Sequence, residues 1–180
     1  TYFSFLRDIA KVERYDVPES CINLPVDTKQ VREIKALYKK LDTKDVRYVL
    51  VVGIGGSSLG TLAVYSALEH KLGRRKGLKR AKLLFFETVA SQPFYAFEKL
   101  LDTDIRSSKQ LLMYVVSKSG STTESVVNFE ALYALLKKRF DDIEARIVVT
   151  TTCTSELWNV AQEKNIATLP IPSTMSGRFS

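Results

Sequence analysis

One histidine, His70, and two cysteines, Cys21 and Cys153, are the whole supply of imidazole and thiol metal ligands in 180 residues. Two isolated cysteines form neither a disulfide framework nor a zinc-ligand spacing, and they suit a reducing, cytoplasmic setting. No apolar run approaches the ~20 residues needed to span a bilayer, which excludes an integral helical membrane protein. No charged-then-apolar leader opens the chain, which begins at Thr1 rather than Met, as a processed or cut piece would. Internal repeats and low-complexity tracts are absent. What is present is ordinary globular composition, 45% hydrophobic and 26% charged, in a length that suits one domain.

One stretch combines a high density of basic residues with no acid. Between Lys71 and Lys82 the chain carries Lys71, Arg74, Arg75, Lys76, Lys79, Arg80 and Lys82, equal to the whole net charge of +7. The remainder is balanced, so the uniform basic face of a nucleic-acid binder is not expected. The run reads as a solvated loop.

Residues 1–45 read as helices and loops preceding a domain at 46–180. Asp27 is placed to cap a helix, with Gln30 reaching back from its third position. Val31, Ile34, Leu37, Tyr38 and Leu41 then recur at helical spacing. From Arg47 the texture changes. Apolar runs at 48–52, 83–86, 111–116, 147–151 and 166–171 alternate with helical segments at 58–71, 92–101, 122–139 and 155–164. The first four runs are continuous, as strands buried on both faces are. Strand–helix alternation with right-handed crossovers predicts an α/β domain, a three-layer α/β/α sandwich around a five-stranded parallel sheet. Pro170 lacks an amide donor and puts the fifth run at an edge.

In such sheets ligands bind beyond the carboxyl ends of the strands, where strand order reverses. The first run ends in Gly53-Ile54-Gly55-Gly56-Ser57-Ser58-Leu59-Gly60, a turn that lets backbone amides approach an anion. It is no P-loop, since neither Lys-Ser nor Lys-Thr follows the glycines. As a dinucleotide fingerprint it fails at Ser58, which stands where the third glycine belongs, and the acid Glu87 arrives late. A tight turn capped by Ser57 or Ser58 explains it equally well.

The third run ends in Ser117-Lys118-Ser119-Gly120-Ser121-Thr122-Thr123-Glu124, with five hydroxyls, a glycine and a lysine leading into a helix. Hydroxyls, amides and a helix N-terminus together satisfy several oxygens of a phosphate. Ser121 and Glu124 also have capping-box spacing, which leaves Ser117, Ser119 and Thr122 unexplained. In the flavodoxin-like order 2-1-3-4-5 the two loops face one crevice.

These two segments, with Ser176-Gly177-Arg178-Phe179-Ser180 at the end of the chain, resemble the sugar-isomerase (SIS) domain of the glucose-6-phosphate isomerase family. The resemblance runs from Arg47 onward and departs from the family pattern at Ser176. It implies that Gly56 and Ser57 contact a sugar phosphate and that Ser117, Lys118, Ser119, Gly120, Ser121 and Thr122 cradle its phosphate. It further implies that Arg178 stabilises an enediolate and that Glu124 lines the active site. The implied reaction interconverts glucose 6-phosphate and fructose 6-phosphate without metal or organic cofactor. The family's base, ring-opening histidine and lysine lie beyond Ser180, and the full enzyme is expected to be a cytoplasmic homodimer of glycolysis and gluconeogenesis. No nucleic-acid or membrane partner is expected. His70 lies near the far end of a helix about 20 Å long and is expected to point away from the crevice. Trp158 and the Phe85-Phe86 pair read as core. The competing readings are a non-enzymatic SIS module that senses a phosphosugar and a nicotinamide-dependent oxidoreductase.

Overall fold

The computed structural model describes residues 1–12, 14–72 and 80–175, and of residues 70–72 the backbone alone. Two helices, α1 (Tyr2–Ile9) and α2 (Thr28–Lys40), flank a 3-10 stretch at Pro18–Val26. The strands are β1 (Tyr48–Val52), β2 (Lys82–Phe86), β3 (Leu111–Val116), β4 (Ile147–Thr151) and β5 (Ala167–Pro170). Between them run α3 (Gly56–Leu72), α4 (Ser91–Thr103), α5 (Thr123–Lys137) and α6 (Glu156–Glu163). All strand pairs are parallel, in the order β2-β1-β3-β4-β5. This is the predicted α/β architecture, with Pro170 on an edge strand.

The two sheet faces differ in cover. Leu50, Val52, Phe86, Leu111, Met113, Val115, Ile147 and Val149 point to one side and form a single core with Phe97 and Leu101 of α4, Phe129, Leu132 and Leu136 of α5, and Leu157 of α6. On the opposite side Val49, Leu83, Phe85, Leu112 and Tyr114 are only half-buried. Val51, Val116 and Val148 on that same side are buried, so the expectation of strands buried on both faces holds at the centre of the sheet and is corrected toward the amino ends and β2. It fails most at β2, an edge strand whose Lys82 is exposed and which buries only Phe86. Phe85 and Trp158 are half-buried, so of the three aromatics read as core only Phe86 is fully inside.

The cap on α2 forms as expected on its first half: the Gln30 amide donates to Asp27 Oδ1 at 2.8 Å, and the Tyr15 hydroxyl donates to Oδ2 at 2.7 Å. These two bonds, the amide first, hold the Asp27 carboxyl below its ordinary value. The apolar stripe of α2 is less buried than its spacing suggests, because cavities separate it from the sheet. Val31, Ile34 and Tyr38 are exposed, and Leu41, just past the helix, is the stripe's buried member. Below it, buried Arg146 donates to the carbonyls of Leu41, Leu111 and Lys109, tying the end of the helical segment to the sheet.

Candidate active site

The glycine turn and the hydroxyl turn touch. A Cβ on Gly53 would stand 2.9 Å from the carbonyl oxygen of Val116, the last residue of β3. Only a glycine lets β1 leave the sheet so close to its neighbour. Two residues on, Gly55 turns the chain through φ +60° into α3. The strand register puts Val52 beside Phe86, which brings the residues following each strand together. There fully buried Ser58 donates to Glu87 Oε1 at 2.5 Å and to the Gly55 carbonyl at 3.3 Å. Neither Ser57 nor Ser58 caps α3, contrary to the capping alternative, because the helix begins at Gly56 and both serines lie inside its first turn; the Ser58 hydroxyl is drawn sideways to Glu87. That same bond occupies the acid that a ribose would need. The Ser57 hydroxyl has no hydrogen-bond partner among the described residues and faces a cavity of about 440 Å³.

The second turn is held from within. The Gly120 amide donates to the carbonyl and hydroxyl of Ser117 at 3.1 and 3.2 Å. Gly120 has φ +66°, and a Cβ there would meet Ser155 Cβ at 2.5 Å. Ser155 is fixed in turn, since it caps α6 at the Trp158 amide and bonds Thr151 Oγ1 at 2.9 Å. Thr122 Oγ1 lies 3.4 Å from Ser117 Oγ and 3.3 Å from Ser119 Oγ, so three hydroxyls converge in front of α5. The Ser121–Glu124 capping box does not form. Thr122 is the N-cap of α5 and makes no side-chain capping bond, because its hydroxyl is turned to the two serines. The first amides of α5 thus have no side-chain acceptor among the described residues, the condition that favours an anion.

Gly56 and Ser57 line the 440 Å³ cavity together with Thr61, Tyr114, Thr150 and Met175, and the hydroxyl turn lies outside its lining. Lys118 is half-buried with its ammonium unpaired among the described residues, and Ser119 and Ser121 are exposed. Glu124 is half-buried in the first turn of α5. Arg178 and the motif around it lie outside the described residues. His70 falls in the last turn of α3, at the far end from the crevice, and its side chain is not described; of the basic run, Arg80 and Lys82 are. Among the described residues no group of three or more His, Cys, Asp or Glu could hold a metal, and no helix is long and apolar enough to cross a membrane.

Sequence reasoning missed the roof of this cavity. Gln30, Glu33 and Ile34 of α2 line it across from the sheet. It also missed the polar floor, where Thr150 Oγ1 donates to the Tyr114 hydroxyl at 3.2 Å. Tyr114 was detectable as the one hydroxyl inside an otherwise apolar run. Nothing local distinguishes Glu33 from any solvated helix residue.

Comparison with known proteins bears on the same segments. The family model described as phosphoglucose isomerase matches residues 26–180. A glucose-6-phosphate isomerase from Leptospira biflexa is 31% identical over 164 residues, covering 88% of this chain and 36% of the relative. One from Clostridioides difficile is 33% identical over 166 residues with the same coverage. The chain thus spans little more than a third of these relatives. Among solved structures, a hypothetical protein from Thermus thermophilus superposes with TM-score 0.76 at 26% identity, over 99% of this chain and 41% of its own. A glucose-6-phosphate isomerase from Chlamydia trachomatis shares the fold with TM-score 0.67 at 23% identity, over 89% of this chain and 28% of its own.

Proposed function

Because this chain belongs to the phosphoglucose isomerase family, we propose that it is the N-terminal sugar-phosphate-binding part of a glucose-6-phosphate isomerase. The observation that carries the reading is the pairing of two anion-suited turns at one switch point. Val116 ends the strand before the hydroxyl turn, and its carbonyl stands against Gly53 of the glycine turn. The phosphate of glucose 6-phosphate or fructose 6-phosphate sits at the start of α5, among the amides and the Ser117, Ser119 and Thr122 hydroxyls. The sugar extends past Gly56 and Ser57 toward the 440 Å³ cavity.

Isomerisation moves a proton between C2 and C1 of the opened sugar through a cis-enediolate. In this reading Arg178 places a guanidinium beside the developing oxyanion, where charge appears in the transition state. Glu124 lines the same crevice at the head of α5. The base and the ring-opening groups come from sequence beyond Ser180, in a cytoplasmic homodimer. The 180-residue chain alone binds sugar phosphate without turnover, since each missing acid–base group removes about 10²–10⁴-fold in rate.

A phosphosugar sensor would need the cradle without Arg178, which makes the enzyme the better reading. A nicotinamide enzyme is disfavoured by the Ser58–Glu87 bond. The test is a pair of measurements with fructose 6-phosphate: calorimetry on this chain, and a coupled assay on this chain and the longer protein. Binding by both and turnover by the longer one alone is expected. Turnover by this chain would mean the base lies within it, and turnover by neither would favour the sensor.

A further inference from the structure

A second, larger cavity lies away from the crevice. About 1100 Å³ opens at the amino ends of β2, β1 and β3, at the opposite edge of the sheet from both turns. Five-residue β1 separates the two edges by ~16 Å. Six cations line the cavity: Lys44, Arg47, Arg80, Lys82, Arg106 and Lys109. Against them stand Asp45 in the lining and Asp104, which is paired with Arg47 at 3.0 Å. The Lys44, Lys82 and Lys109 ammonium groups have no ion-pair or hydrogen-bond partner among the described residues. Arg106 donates from Nη2 to the Thr103 carbonyl at 3.1 Å. The floor is apolar, formed by Val46, Val49, Ala81 and Leu112, and Tyr38 on the rim is 62% exposed.

Like charges repel, and three segments distant in sequence bring the unpaired Lys44, Lys82 and Lys109 ammonium groups together around one concave space. Their mutual repulsion falls when a multiply charged anion sits between them. A cavity this size takes a small molecule rather than a nucleic-acid strand, which needs a groove across the surface. An apolar floor and an exposed aromatic ring suit a ligand with a flat, weakly polar part beside its phosphates.

We propose that this cavity binds a small molecule carrying a chain of phosphates. Lys44, Lys82, Lys109 and Arg106 contact the phosphates, and Tyr38 faces the group that carries them. The site is independent of the sugar-phosphate crevice.

The test is calorimetric titration of the intact protein with inorganic triphosphate and with ATP. Saturable one-to-one binding of triphosphate is expected, undisturbed by saturating fructose 6-phosphate. The triple variant K44Q/K82Q/K109Q should bind at least ~10-fold more weakly, since hydrogen bonds to charged groups are individually strong. A control of equal charge loss, K29Q/K35Q/K99Q, should retain wild-type affinity. Tighter binding of ATP that is lost in Y38A marks a nucleotide as the ligand, and equal binding of the two marks the phosphate chain alone; both uphold the proposal. No saturable binding of either, displacement by fructose 6-phosphate, or an equal loss in the control variant overturns it.

Discussion

The two turns at the carboxyl edge of the sheet share a position and differ in what their side chains do. Both follow a strand, contain a positive-φ glycine and open a helix. In the glycine turn the chemistry is directed inward: Gly53 clears the Val116 carbonyl, and Ser58 is spent on Glu87. In the hydroxyl turn Gly120 and buried Ser117 hold the turn together, while Ser119 and Thr122 bond each other in front of an uncapped helix. The first turn is thus shaped by the fold and offers backbone. The second offers side chains, and under the proposed function selectivity for phosphate belongs there.

Glycine substitutions give the largest effects and test the packing half of this contrast. Gly120→Ala forces a Cβ into Ser155 at a left-handed φ and should cost about 3 kcal/mol. Gly53→Ala meets backbone at 2.9 Å and should cost about 2 kcal/mol. Gly55→Ala is strained only by its φ of +60° and should cost about 1 kcal/mol. Gly60→Ala, in open space within α3, should stabilise by about 0.5 kcal/mol. Urea unfolding midpoints give the order, and any other order would break the account of the turns.

A crossed pair of variants sharpens the contrast further. Ser58→Ala removes a buried hydrogen bond and should cost about 1–2 kcal/mol of stability, with fructose 6-phosphate affinity unchanged. Ser119→Ala with Thr122→Val should do the reverse, with stability within about 0.5 kcal/mol of wild type and affinity down about tenfold. Equal effects of both on binding would erase the distinction.

The smallest expected effect is a baseline common to both turns. Asp104 is held below its ordinary value chiefly by the Tyr48 hydroxyl. For Glu144 burial pushes upward, but bonds from Lys137 and Tyr133 outweigh it, so the net shift is downward. With Asp27 these carboxylates are more acidic folded than unfolded. The stability they contribute is present above their unfolded values near ~4 and is lost as pH falls through the folded ones. Chemical denaturation should therefore give a flat stability from pH 7 to about 5 and a decline below about 4, shallower in Glu144→Gln. The Tyr133 hydroxyl, bonded to Glu144, is pushed up to about 12; its contribution to stability is full below its ordinary value of 10.0 and is lost as pH rises through about 12.

The sheet was legible because five apolar runs alternate with helical spacing, and Pro170 alone marks an edge. The half-covered face was not, because a continuous apolar run looks the same whether one side or both are packed. The capping box at Ser121 and Glu124 misled for a local reason: α5 starts one residue later, and Thr122 prefers its neighbouring hydroxyls to the helix amides. The Ser58–Glu87 bond was within reach, since pairing Val52 with Phe86 sets the residues that follow β1 and β2 side by side. Glu33 was not, because its place over the crevice depends on how a preceding helix crosses the sheet.

The central claim is that the phosphate sits at the head of α5. A crystal structure of the protein soaked with fructose 6-phosphate tests it most directly. The phosphorus should lie within hydrogen-bond reach of the first α5 amides and the Ser119 and Thr122 hydroxyls, with the sugar toward Gly56 and Ser57. A phosphate bound anywhere else, with those amides left to solvent, would contradict it.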